Sequence, residues 1–285
     1  MNYFQKRSLF PYHRKGSILI VAIWILVFFS ILSVGLYKIV NSQISVVKAI
    51  EGRTISQYLA KAAYTYATLE RKRDKLAYDT FYQFRIKREK ELGRGKFIYI
   101  FIDEESKINI NSASPEIIAG LPGLTPELAK AITDSALRPF HAKEEILVVE
   151  GLNEEVFNNC KDFITVHSDG KVNINTASIE TLRALGLSEE SIGVINDFRI
   201  GRDNKELTED DGVFENTGEI VDKLNASGAI SEEDKAVLSQ LIAEGSIIVK
   251  SRNLSLEVAT EIIGRPAMKY AIIMDTERIK EWREY

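Results

Sequence analysis

KININSAS (107–114) and KVNINTAS (171–178) are two near-identical octapeptides, 64 positions apart, in a chain of 285 residues. After the first comes PEIIAGLPGLTPELAKAI and after the second IETLRALGLSEESIGVI. Both continuations read as helix, glycine turn, helix. Ser114 and Ser178 suit N-caps, with Pro115 at a first helical position and Glu116 and Glu180 in the first turn. Gly123 and Gly186 supply the turns. The Asn side chains can close turns on the backbone, while the Ile and Val residues anchor an opening strand in a core. The repeated phrase thus starts a helical hairpin twice.

Such hairpins resemble helix-hairpin-helix repeats, whose turn runs glycine, apolar, glycine and offers backbone amides to a DNA phosphate. Here the second glycine is absent from both copies: Thr125 follows Leu124, and Ser188 follows Leu187. The charge is also of the wrong sign. Residues 106–166 carry 5 basic and 9 acidic side chains, and residues 168–250 carry 8 and 17. Lys and Arg on phosphate supply most non-specific DNA affinity, so two net-acidic modules argue against nucleic acid and for scaffold use. A membrane-tethered DNA-binding protein of the competence type is the alternative reading.

Toward the N-terminus, residues 1–16 hold Lys6, Arg7, Arg14 and Lys15 and no acid, and Ser17 to Tyr37 is a run of 21 residues without a charge. About 20 apolar residues span a bilayer as a helix. Cations before the span and none within it place the N-terminus in the cytoplasm and the bulk of the chain outside. A signal peptide would have a shorter apolar region and a small-residue site after it. Here Gly16 precedes the span. This order resembles the type IV prepilin leader, which implies cleavage by prepilin peptidase between Gly16 and Ser17, inner-membrane anchoring and N-methylation of Ser17. Pilins carry glutamate at the fifth mature position; Val21 stands there. A carboxylate without a partner in the bilayer costs roughly 2.5–3.5 kcal/mol, so an apolar residue suits a subunit that has no predecessor to pair with.

From Lys38 to about Leu92 the pattern reads as helix, with Ile50, Ile55, Leu59, Ala62, Ala63 and Tyr66 in one stripe. Residues 48–96 carry 13 basic against 6 acidic side chains, a solvated face or a surface for acidic partner subunits or lipid headgroups. Phe97 to Ile102, parts of Ser246 to Thr260, and Ala267 to Met274 read as strands. Strands so far apart must pair across whatever lies between them, so the middle of the chain is an insertion. The expected class is α+β: a long N-terminal helix on a small antiparallel sheet, with an inserted helical domain. The expected segments are a leader (1–16), a transmembrane helix (17–39), the rest of the helix with the first strand (40–106), the insertion (107–245, halves 107–166 and 167–245) and the last strands (246–285).

Leader, Val21, DEESKININ (103–111), SDGKVNINTA (168–177) and EWRE (281–284) in this order resemble the type II secretion minor pseudopilin K family. The resemblance covers essentially the whole chain. It implies two sterile-alpha-motif-like halves, a non-enzymatic place at the pseudopilus tip, the minor pseudopilins I and J as partners, and contact with an inner-membrane assembly platform. It also implies calcium binding, without locating it. Hard cations take six to eight oxygens, and Asp203, Glu206, Glu209, Asp210, Asp211 and Glu215 crowd one stretch, although not at EF-hand spacing. The lone Cys160 and three histidines leave little for a zinc site, and no nucleophile–base pair stands out.

Overall fold

A computed structural model describes residues 15–201, 203, 208, 211–228, 230–275 and 278–285. Helix α1 runs from Lys15 to Arg73. By its contacts the chain divides within this helix into one unit up to Ile55 and another from Ser56 to Tyr285. In the first unit the helix from Ile18 onward is long and apolar enough to cross a membrane, and the protein covers none of that window. It fits a single-pass anchor.

In the second unit α1 buries Ser56, Leu59, Ala60, Ala63 and Ala67, a face at three- and four-residue spacing. Leu59 and Ala63 belong to the expected stripe, whereas Ile50 and Tyr66 are exposed, and Ser56, Ala60 and Ala67 complete the contact. Small side chains let the sheet come close. A Cβ on Gly95 would lie 2.7 Å from Leu59 Cδ1.

The helix also stops well short of Leu92. After Arg73, Asp74 Oδ1 accepts the Leu76 N–H at 3.0 Å, a turn-closing contact. Thr80 then opens the short helix α2 (Phe81–Arg85) with a capping box to Gln83. Residues REKEL form strand β1 (Arg88–Leu92). Local propensity there favours helix, but pairing with strand β2 (Gly95–Asp103), from Arg88↔Tyr99 to Leu92↔Gly95, overrides it.

The first repeat opens with strand β3 (Ile108–Asn109). Helices α3 (Pro115–Ala119) and α4 (Pro126–Thr133) follow, then α5 (Glu154–Cys160) and strand β4 (Ile164–Thr165). β3 and β4 pair in parallel, Ile108 against Ile164. The second repeat has the same plan: strand β5 (Val172–Asn173), helices α6 (Ile179–Ala184), α7 (Glu189–Ile200), α8 (Ile220–Ser227) and α9 (Glu232–Ala243), then strand β6 (Ile247–Ile248). β5 and β6 also pair in parallel, Val172 against Ile247. Each half begins and ends side by side. Both bury into one continuous core that includes Ile110, Ile118, Ile132, Ile174, Leu182, Ile195 and Phe214.

The chain returns to the sheet with β7 (Leu254–Ile262), β8 (Met268–Met274) and β9 (Ile279–Glu284). Strand order is β1-β2-β7-β8-β9, antiparallel throughout. β2 lies against β7 over nine pairs, and the last, Asp103↔Leu254, sets the two ends of the helical segment opposite each other. The fold is α+β, with the helices of residues 104–253 between two neighbouring strands. Strand β9 is absent from the sequence expectation, because IKEWRE has charged residues on both faces and reads as no strand by alternation.

Candidate functional site

The repeated phrase performs the same bonding twice. Asn109 Oδ1 accepts the Asn111 N–H at 2.8 Å, and Asn173 Oδ1 accepts the Asn175 N–H at 3.0 Å. Each second asparagine then reaches across its half to one backbone residue. Asn111 accepts from Phe140 N and donates to Phe140 O at 2.7 and 2.8 Å; Asn175 does so with Phe214 at 3.0 and 2.9 Å. Ser114 and Ser178 cap α3 and α6 as expected. Gly123 and Gly186 sit at φ +79° and +90°, where a Cβ is strained. Thr125 and Ser188, at the positions of the missing glycines, cap α4 and α7.

The three acids before the first phrase join the repeats to the sheet. Asp103 Oδ2 accepts from Thr176 Oγ1 at 2.5 Å, Ser251 Oγ at 2.7 Å and Asn173 Nδ2 at 3.2 Å. Asp79 accepts from Arg71 at 2.5 Å, from the Ser251 N–H at 2.6 Å and from Asn173 at 3.3 Å. One cluster thus holds the end of α1, the end of β2 and both ends of the second repeat. Glu104 takes the Thr165 hydroxyl at 2.5 Å, Lys107 at 3.1 Å and the Ser255 hydroxyl. Glu105 takes the backbone and side-chain nitrogens of Asn253 at 3.0 and 2.6 Å.

Burial raises the Asp103 carboxyl to about 6 against the Thr176 and Ser251 hydroxyls, helped by the charge of Asp79. Burial and Asp103 raise Glu105 to about 7. Burial opposes the charge of Glu104 as well, but Lys107 and the Ser255 and Thr165 hydroxyls outweigh it and lower that carboxyl. The sequence marks DEESKININ as distinctive, yet Asn173, Ser251 and Asn253 are unreadable as partners because each lies far away in the chain.

The other sequence-designated residues fall elsewhere. Gly16 and Ser17 lie in the first turns of α1, and Val21 follows on its exposed surface. Of the six acids of the loop, Glu206, Glu209 and Asp210 lie outside the described residues. Asp203 and Asp211 each accept from the Thr208 hydroxyl, at 3.3 and 3.2 Å, so two carboxylates converge on one oxygen. Glu215 is exposed. Among the described residues no three His, Cys, Asp or Glu side chains come together as metal ligands.

Residues 103–165 match the helix-hairpin-helix motif family. A chain in the crystal structure of the GspK-GspI-GspJ complex from the enterotoxigenic Escherichia coli Type 2 Secretion System superposes with a TM-score of 0.61. The superposition covers 84% of this chain and 99% of that one, at 13% identity. The two chains share a fold. No curated protein sequence matches this chain. The shared fold extends far beyond the family match, so the hairpins are parts of a larger architecture in which an antiparallel sheet receives them between β2 and β7.

Proposed function

We propose that this chain is a minor pseudopilin of the K type: a non-enzymatic tip subunit of a type II secretion pseudopilus that starts its assembly and supports protein secretion across the outer membrane. The observation that carries the proposal is the fold of the chain as a whole, whose superposition covers 99% of a chain from the complex named above. A single membrane-spanning helix, the Gly16–Ser17 leader junction and Val21 support it. In this reading the N-terminus is cytoplasmic, the domain from Ser56 is periplasmic, prepilin peptidase removes residues 1–16, and Ser17 is methylated. The partners are the minor pseudopilins I and J and the inner-membrane assembly platform. The loop from Asp203 to Glu215 binds calcium, with Asp203 and Asp211 among its ligands.

The test is co-purification of the tagged full chain from detergent-solubilised membranes of a strain expressing the system. Recovery of I and J in stoichiometric amounts is the expected result; their absence, with the chain folded and inserted, overturns the proposal. The helix-hairpin-helix match favours the rival DNA-binding reading. Retention of duplex DNA by the same preparation in a low-salt gel shift would favour that reading instead. The acidic charge of both halves opposes it.

A further inference from the structure

The positive ends of two twelve-residue helices, α7 and α9, face one buried carboxylate. Asp234, in the first turn of α9, is 2% exposed. Its Oδ1 accepts the Ser188 N–H at 3.1 Å. Its Oδ2 accepts the hydroxyls of Ser188 and Ser191 at 2.6 Å each, and that of Ser231 at 2.9 Å. Ser188 is the N-cap of α7 and Ser231 the N-cap of α9. A helix N-terminus favours negative charge through its free N–H groups and its dipole; here two such termini and three hydroxyls surround a single anion. Burial alone would raise this carboxyl, but the Ser188 and Ser191 hydroxyls, the Ser188 amide and Ser231 hold it down at about 2.

Ser188 stands in the turn of the second hairpin, where helix-hairpin-helix modules offer an amide to a phosphate. We propose that this turn is an oxyanion site whose resident ligand is the chain's own Asp234 carboxylate. The seat is filled from within, 46 residues along the chain. That occupancy docks α9, and through it β6, onto the hairpin, and it shuts the turn to external phosphates. Emptied, the site takes a small inorganic oxyanion. None of this depends on a role in secretion.

The experiment uses the full chain in detergent micelles and near-ultraviolet circular dichroism melts, in sodium chloride and in sodium phosphate of matched ionic strength at pH 7. Phosphate strengthens burial generally, and the wild-type shift between the two salts measures that background. Asp234→Ala is expected to melt about 5 °C or more below wild type in chloride, since the loss strands several donors. It is expected to regain part of that loss in phosphate, beyond the wild-type shift. Asp234→Asn keeps the seat filled with a neutral amide, so it loses stability and shows only the background shift. A variant too unstable to fold in chloride supports the proposal if phosphate restores its fold. The proposal is overturned if Asp234→Ala melts with wild type, or gains no more from phosphate than wild type does.

Discussion

Asn175 and Phe214 show how one side chain can fix a loop. The asparagine satisfies both backbone groups of a fully buried phenylalanine, and a buried group left unpaired costs about 1–3 kcal/mol. Asn175→Ala is therefore expected to destabilise the second repeat by about 3 kcal/mol, read as a lower denaturant midpoint. An unchanged midpoint would show that water replaces the amide. The twin Asn111 sits in a less buried setting, and its loss should cost less. A second residue-scale expectation concerns pH. Asp103 and Glu105 have folded values of about 6 and about 7, above their ordinary values of 3.8 and 4.5. Raised groups favour the folded state when protonated, so their contribution is complete below the ordinary values and is lost as pH rises through 6 and 7. Stability should thus be higher at pH 5 than at pH 8, by about 1.4 kcal/mol from Asp103 and about 2.5 kcal/mol from Glu105. Glu105→Gln should shrink that difference. A wild-type midpoint that does not change between pH 5 and 8 counts against raised carboxyls at the junction.

Elements were legible in the sequence where their own residues carry the pattern. The two hairpins were, because caps, turn glycines and apolar spacing lie within about twenty residues. Strand β2 was as well, from FIYIFI alone. Strands β1 and β9 were not: both lie at sheet edges, where charged side chains are tolerated and guard against stray pairing, so neither alternates. On α1 the expected stripe contains the buried Leu59 and Ala63, but Ser56, Ala60 and Ala67 complete the buried face and Tyr66 is exposed, a tertiary demand that periodicity does not contain. Two predictions belong to single elements. For α1, intact-mass analysis of membrane-extracted protein should show a chain beginning at Ser17 when prepilin peptidase is present, and Gly16→Trp should block the cut. A mass that retains residues 1–16 would remove the leader reading. For the acidic loop, a native-state ligand stabilises by RT ln(1 + [L]/Kd), about 2.7 kcal/mol at hundredfold saturation. Calcium should raise the melting temperature, a chelator should lower it, and Asp210→Asn with Asp211→Asn should abolish the response. A response that survives the double substitution puts the ion elsewhere.

For the molecule as a whole, the chain passes between the sheet and the helical halves at two points, Asp103 and Leu254, which lie opposite each other in an antiparallel pair. Replacing residues 104–253 with a two-residue Asn-Gly turn should leave a sheet that still forms, because such a turn matches the twist of the strands it connects. Far-ultraviolet circular dichroism should keep its strand signal, with a lower melting temperature, since Arg71 and Asp79 lose Ser251 and Asn173. A chain that fails to fold would mean that the halves template the sheet. The same geometry bears on mechanical load. A pull that enters along α1 and leaves through the sheet meets the nine-pair β2–β7 ladder, which bridges the two ends of residues 104–253. The helical cap is a passenger under tension, and it can grow, shrink or change its surface in evolution while the stressed framework beneath it stays the same.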